Sequence, residues 1–308
     1  MTAILECQNL SKSFSGLKAL DNVSFTINEP ASTGLVGPNG AGKTTLFSLI
    51  CGFLGPDTGT IRVSGKNPET SQLKGSIGIL PQDIPMMRGI SVSEQLLLFV
   101  RLQGFGRRAA QPELDRIINM VKARDLIKQF PETLSYGQRK KIALAQALIG
   151  NPKIILLDEP TSGLDPVAAN DVRNTIQSLR AEHSFIISSH NLDEIKSVCD
   201  EVIIINKGKL IKHCRIDELV GRNNVLTILL EQAPSPSLVG ALSSLETVVR
   251  VEADPVKSNR ISIYFQSDRP DKIQFRILEC LQQNSAAMIE FSRGSAFTDK
   301  VVELVSGD

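Results

Sequence analysis

Gly37-Pro38-Asn39-Gly40-Ala41-Gly42-Lys43-Thr44 is the stretch on which the reading of this chain turns. It fills every fixed position of the pattern G-x-x-x-x-G-K-[ST]. Ser32–Val36 before it reads as a short buried strand, and residues 44–50 after it as the first turns of a helix. Glycines let such a loop curl until its backbone N–H groups point inward at an anion. In that arrangement Lys43 reaches the β- and γ-phosphates of a nucleotide, and the Thr44 hydroxyl takes a place on Mg²⁺.

A second stretch belongs with the first. Ile154-Ile155-Leu156-Leu157-Asp158-Glu159 is a hydrophobic strand ending in two carboxylates. Beside a phosphate loop, Asp158 is expected to serve Mg²⁺. Glu159 is expected to face the γ-phosphate and take a proton from attacking water.

The apolar runs at 154–157, 185–187 and 202–205 are continuous, as in a parallel sheet covered on both faces. Residues 21–27 instead alternate (Val23, Phe25, Ile27) and, with 60–63, suit half-buried antiparallel strands. Helical periods at 91–100, 112–121, 123–128 and 136–149 make an inserted helical block of about residues 83–150. The fold expected is α/β: a phosphate-loop core with an antiparallel β subdomain and a helical subdomain.

Gly221-Arg222-Asn223-Asn224 follows a helix-like 217–220, and the chain then changes character. Strand-like 225–230, helical 237–242, strand-like 247–251 and 260–266, helical 271–284, strand-like 287–291 and a final helix at 298–305 follow. Ile261, Ile263 and Phe265 share one strand face; Ile273, Ile277, Leu278 and Leu281 form a helical stripe. This order suits a small α+β module with an antiparallel sheet. The expected domains are 1–222 and 223–308.

Composition excludes little. At 308 residues the chain is long enough for two domains, and a net charge of +1 gives no global pull toward nucleic acid or an anionic surface. No apolar run approaches the roughly 18–20 residues a membrane helix needs. Met1-Thr2-Ala3-Ile4-Leu5-Glu6 lacks the basic and apolar regions of a secretory signal. Cys7, Cys51, Cys199, Cys214 and Cys280 show neither zinc spacing nor a disulfide framework, and are read as reduced thiols, several of them in the core. His183 and His213 have no motif around them and read as surface residues.

Leu134-Ser135-Tyr136-Gly137-Gln138-Arg139-Lys140-Lys141 resembles the signature sequence of the ATP-binding cassette (ABC) family, usually Leu-Ser-Gly-Gly-Gln. Residues 1–220 are similar to that family throughout. Phe14 stands where the family stacks an aromatic on adenine. Gln82, in Leu80-Pro81-Gln82-Asp83, resembles the family glutamine that ligates Mg²⁺ or orients water. Ser162-Gly163-Leu164-Asp165 resembles its D-loop, and His190 its switch histidine. The resemblance implies ATP and Mg²⁺, with residues 37–45 (Thr45 included) around the phosphates and Thr44, Gln82 and Asp158 on the metal. It implies Glu159, His190, Gln82 and Lys43 as the catalytic set.

Ser135, Gly137 and Gln138, at a helix N-terminus with unpaired N–H groups, would touch the γ-phosphate held by a second nucleotide-binding subunit, identical or a close paralogue. Asp165 would tune that interface. Tyr136 replaces the usual Gly and is expected to face outward onto a neighbouring element.

The function implied is the ATPase subunit of a transporter at the cytoplasmic face of the inner membrane, driving a separate transmembrane permease. The signature variant and the tail Phe297-Thr298-Asp299-Lys300-Val301-Val302-Glu303-Leu304 resemble cassettes of drug, polysaccharide or lipid exporters. A permease would dock near residues 83–101, around Pro85-Met86-Met87. No nucleic acid is expected. The alternatives are a soluble family member acting on ribosomes or DNA, which elsewhere carries two cassettes or a long coiled coil, and a nucleotide-gated regulator.

Overall fold

A computed structural model describes residues 3–68, 73, 75–220, 225–254, 257–265, 270–293 and 297–306. The chain divides into two compact units, 1–214 and 215–308. The division lies ahead of the expected 222. The short helix Ile216–Val220 falls in the second unit, where it packs on the helix Phe297–Ser306.

In the first unit, β1 (Ala3–Phe14) and β2 (Leu17–Asn28) form a hairpin turned by Ser15 and Gly16, both at positive φ, as a tight two-residue turn requires. β3 (Ser32–Val36) leads through the Gly37–Gly42 loop into α1 (Lys43–Ile50). β4 (Thr58–Val63) pairs antiparallel with β1 to complete a three-stranded sheet, β2-β1-β4. The register of β1 shifts several times on both sides. Its apolar positions Ile4, Leu5, Cys7 and Leu10 therefore do not alternate, and no strand period shows in its sequence.

β5 (Ile77–Leu80) precedes the helical block: α2 (Val92–Leu102), α3 (Arg107–Met120) and α4 (Tyr136–Ala147). The helix expected at 123–128 is instead a 3-10 turn, Arg124–Leu126. Lys122, at φ 53°, breaks the backbone just before it, while Ala123 and Leu126 are still buried. α3 starts at Arg107, earlier than the expected Pro112, which lies inside it.

β6 (Ile154–Asp158), α5 (Pro166–Leu179), β7 (Ser184–Ser188), α6 (Leu192–Val198), β8 (Glu201–Asn206) and β9 (Lys209–Arg215) complete the unit. The larger sheet has the order β5-β6-β7-β3-β8-β9, with β5 through β8 parallel. α1 (Leu46, Phe47, Leu49, Ile50) shares one core with both sheets: Val23 and Phe25 from the small one, Leu35, Leu156, Ile186 and Ile203 from the large one. Because β3, β6 and β7 are parallel neighbours, their carboxyl ends open on one edge. Parallel sheets bind ligands at that edge.

The second unit holds α7 (Ile216–Val220), β10 (Val225–Leu230), α8 (Pro236–Ser243), β11 (Val248–Ala253), β12 (Arg260–Phe265), α9 (Pro270–Gln283), β13 (Met288–Arg293) and α10 (Phe297–Ser306). The sheet is antiparallel, in the order β11-β12-β10-β13, with Ile228 opposite Ile261 and Phe291. Leu226, Ile228, Ile261, Ile263 and Phe265 pack on Leu238 and Leu242 of α8 and on α9. The α9 stripe is Ile273, Ile277, Cys280 and Leu281. Leu278, expected in it, is 36% exposed, because positions 273, 277, 280 and 281 complete the helical face without it.

All five cysteines are free thiols, and Cys7, Cys199 and Cys280 are buried.

Candidate functional site

The loop between β3 and α1 is tightly constrained. A Cβ on Gly37 would stand 2.1 Å from the Ile205 carbonyl oxygen, and one on Gly42 2.5 Å from that of Ala19. Gly42 also sits at φ 110° and is the N-cap of α1, so no side chain covers the helix's first N–H groups. An N-terminus left open in this way is an anion site. Lys43 is nearly buried, and its Nζ donates back to the Gly37 and Pro38 carbonyls at 2.7 and 3.1 Å. Burial pulls its pKa below the ordinary lysine value, opposed by the carboxylates of Glu159 and Asp158.

The carboxyl end of β6 closes the other side. Thr44 Oγ1 lies 3.4 Å from Asp158 Oδ2, while Ser188 Oγ donates a short hydrogen bond to Asp158 Oδ1. Glu159 adopts a left-handed φ of 49°. Its N–H is held by the backbone and side-chain oxygens of Ser188 at 3.0 and 3.2 Å. A cavity of about 370 Å³ is lined by Asn39, Gly40, Gly42, Lys43, Thr44, Thr45, Gln82, Asp158, Glu159 and Ala19. Lys43, Thr44, Gln82, Asp158 and Glu159, named from sequence alone, thus meet at one cavity, and His190 Nδ1 reaches Glu159 Oε2 at 3.1 Å.

A family model described as ABC transporter matches residues 20–162. The chain is 34% identical over 237 residues to the lipopolysaccharide export system ATP-binding protein LptB of Haemophilus influenzae, an alignment covering 74% of this chain and 97% of that protein. The chain belongs to the ABC transporter family. The linearmycin resistance ATP-binding protein LnrL of Bacillus subtilis is 32% identical, with 68% of each chain covered. Among solved structures, cbiO1 of Clostridium perfringens, part of an ABC transporter complex, superposes with a TM-score of 0.66 at 28% identity, covering 71% of this chain and 91% of that one. The protein is thus an ABC ATPase.

In this ABC cassette the signature residues Ser135, Gly137 and Gln138 are not among those that line the cavity. Ser135 caps α4 in a capping box: its Oγ accepts from Gln138 N at 3.2 Å, and Gln138 Oε1 accepts from Ser135 N at 2.9 Å. The Gln138 carboxamide is therefore committed to its own helix. Gly137 packs so closely that an added Cβ would meet Ala168 of α5 at 3.1 Å. Tyr136 is 42% exposed, with its ring against Gly163 of the D-loop, the outward contact expected. Asp165 caps α5, accepting from Val167 N and Ala168 N at 3.0 Å each. Phe14 is exposed at the end of β1, under the Lys12 ammonium, and is not among the cavity-lining residues.

Three residues went unread in the sequence. Ser188 binds both Asp158 and Glu159. Glu194, fully buried, accepts from Thr161 Oγ1 beside the D-loop and from Ser189 Oγ beside His190, at 2.7 and 2.6 Å. Lys140 is buried between Gln82 and Glu159. Only the i+4 spacing of Glu194 from His190 hints at any of this. The other histidines are not surface residues as expected: His183 is buried with Nδ1 2.6 Å from the Pro152 carbonyl, and His213 is partly buried against Glu201 and Phe25.

Proposed function

We propose that this ABC ATPase is the motor of an exporter, closing head-to-tail with a second nucleotide-binding subunit on two ATP. This reading is carried by the absence of Ser135 and Gly137 from the residues that line the cavity of Lys43 and Glu159. We read the cavity and the signature residues as two halves of a phosphate site, each completed by a second copy or a close paralogue.

The N–H groups of residues 39–45 hold the phosphates. Lys43 exchanges the Gly37 and Pro38 carbonyls for phosphate oxygens. Phe14, exposed at the end of β1, stacks the adenine. Glu159 takes the proton of the attacking water, and His190 holds the Glu159 carboxylate toward the γ-phosphate. Hydroxyl, carboxylate and amide oxygens from Thr44, Asp158 and Gln82 gather at the cavity, a hard-oxygen set that suits Mg²⁺ bound with phosphates. Among the described residues no cluster of three or more His, Cys, Asp or Glu competes with it. When bound, Mg²⁺ neutralises phosphate charge.

No helix among the described residues is long and apolar enough to cross a membrane. By likeness to its relatives, the proposal places the pump's membrane path in a separate permease and the cassette at the cytoplasmic face of the inner membrane. A cleft of about 580 Å³ between the core and the helical block, lined by Phe53, Ile79, Phe99 and Leu102 among others, suits an apolar permease segment. Phe53 and Leu102 are 69% and 62% exposed. Met87 is also exposed, but it does not line the cleft. The export direction is supported by the names of the relatives: lipopolysaccharide export and linearmycin resistance. The second unit is proposed as an accessory domain.

Affinity purification of the tagged chain from detergent-solubilised membranes tests the proposal. Stoichiometric recovery of a multi-span membrane protein supports it. Recovery only with ribosomes or DNA enzymes overturns the transport reading and favours a soluble member of the family.

A further inference from the structure

Lys140, five residues after Ser135 on α4, presents no surface to solvent. An ammonium is costly to bury unless oxygen atoms satisfy its three donors. Two of them reach backbone carbonyls, those of Gln82 and Glu159, each 3.2 Å from Nζ. The Tyr136 ring centroid lies 5.7 Å from Nζ. Burial lowers its pKa, and the carboxylates of Asp158, Glu159, Asp83 and Glu194 act in the opposite sense.

The two carbonyls are informative because of the residues that own them. Gln82 and Glu159 both line the cavity, yet they follow different strands, β5 and β6. Glu159 also has the left-handed backbone that a non-glycine residue holds only when its surroundings impose it. Ser188 fixes its N–H, and Lys140 fixes its C=O. The peptide is pinned from both ends, and one of the pins is rooted in the signature helix.

We propose that Lys140 is a positioning residue for ATP hydrolysis. It sets the Glu159 carboxylate against Gln82 and ties both to the helix that carries Ser135 and Gly137. Lys140 touches neither nucleotide nor water; it acts through the two carbonyls. The inference rests on Glu159 as the base. A misplacement of about 1 Å in such a group costs on the order of a hundredfold in rate.

Steady-state ATPase and fluorescent-nucleotide binding are measured on the full chain for wild type, K140M, K140Q, E159Q and E159Q/K140M. K140M is expected to lower kcat about ten- to hundredfold with KM and ATP affinity within about threefold. K140Q, which keeps an N–H donor, should fall between K140M and wild type. In the E159Q background K140M should remove nothing further.

Wild-type kcat in K140M or K140Q contradicts the proposal. So does parallel loss of affinity and kcat, or an additive loss on top of E159Q. If K140M does not fold, K140Q decides alone: reduced kcat with unchanged affinity supports the proposal, and failure of K140Q to fold as well contradicts it by making Lys140 structural. Wild-type turnover in E159Q would instead show that the assignment of the base has failed.

Discussion

His190 Nδ1 lies 3.1 Å from Oε2 of Glu159. The strands behind them explain the distance. β6 and β7 run parallel with Asp158 level with Ser188, so the residues that follow each strand end emerge side by side. The Glu159 side chain is mostly enclosed, whereas that of His190 is largely exposed. The histidine therefore reaches the carboxylate from the solvent side.

His190→Ala should lower kcat about ten- to hundredfold, the scale that misplacing a reacting group by about 1 Å costs. KM for ATP should stay within a few fold, since the imidazole holds a carboxylate and contributes nothing to the phosphate loop. Steady-state ATPase kinetics read both values. A large rise in KM with kcat unchanged would place His190 in nucleotide binding instead.

Gly37→Ala would set a methyl group 2.1 Å from the Ile205 carbonyl oxygen, in rigid backbone on β8. Relief requires movement of the loop or of the strand, at about 1–3 kcal/mol for overpacking. Thermal unfolding should shift down by several degrees, and nucleotide affinity should fall with it. A variant with wild-type melting and affinity would show that the loop yields freely.

Glu201, on β8, couples the larger sheet of the first unit to pH through partners on β3 and β9. Burial acts to raise its pKa, but hydrogen bonds from His213 Nε2 and Thr33 Oγ1 outweigh burial and hold it below the ordinary carboxylate value. A carboxyl whose folded-state pKa is depressed stabilises the fold above its unfolded value of about 4.3 and loses that contribution as pH falls through the folded value. Wild type should therefore exceed Glu201→Gln in denaturant midpoint at pH 6, and the gap should narrow as pH falls below 4.3. A gap that stays constant would mean that Glu201 does not titrate with folding.

Much of this was legible in the sequence, for physical reasons. The apolar runs behind β6, β7 and β8 are continuous because helices and sheet enclose them on both faces. Gly37 and Gly42 are required by backbone contacts rather than by preference, so the loop pattern is unambiguous. β1 was not legible, because its register shifts on both sides erase any strand period. The turn at Arg124–Leu126 was not legible either, because its two buried side chains satisfy a helical pattern that the positive φ of Lys122 interrupts. Lys140 and Glu194 escaped notice because a charged residue in a polar stretch reads as a solvated face. Only the fold shows that each is enclosed and bonded to loops distant in sequence.

In the proposed mechanism Glu159 removes the proton from attacking water while Lys43 and the loop hold ATP. Glu159→Gln tests it most directly, through ATP turnover and ATP-dependent dimer formation measured side by side. Turnover is expected about 10²–10⁴-fold below wild type, with ATP affinity retained and a dimer that persists with ATP. Turnover at the wild-type rate in that variant would contradict it.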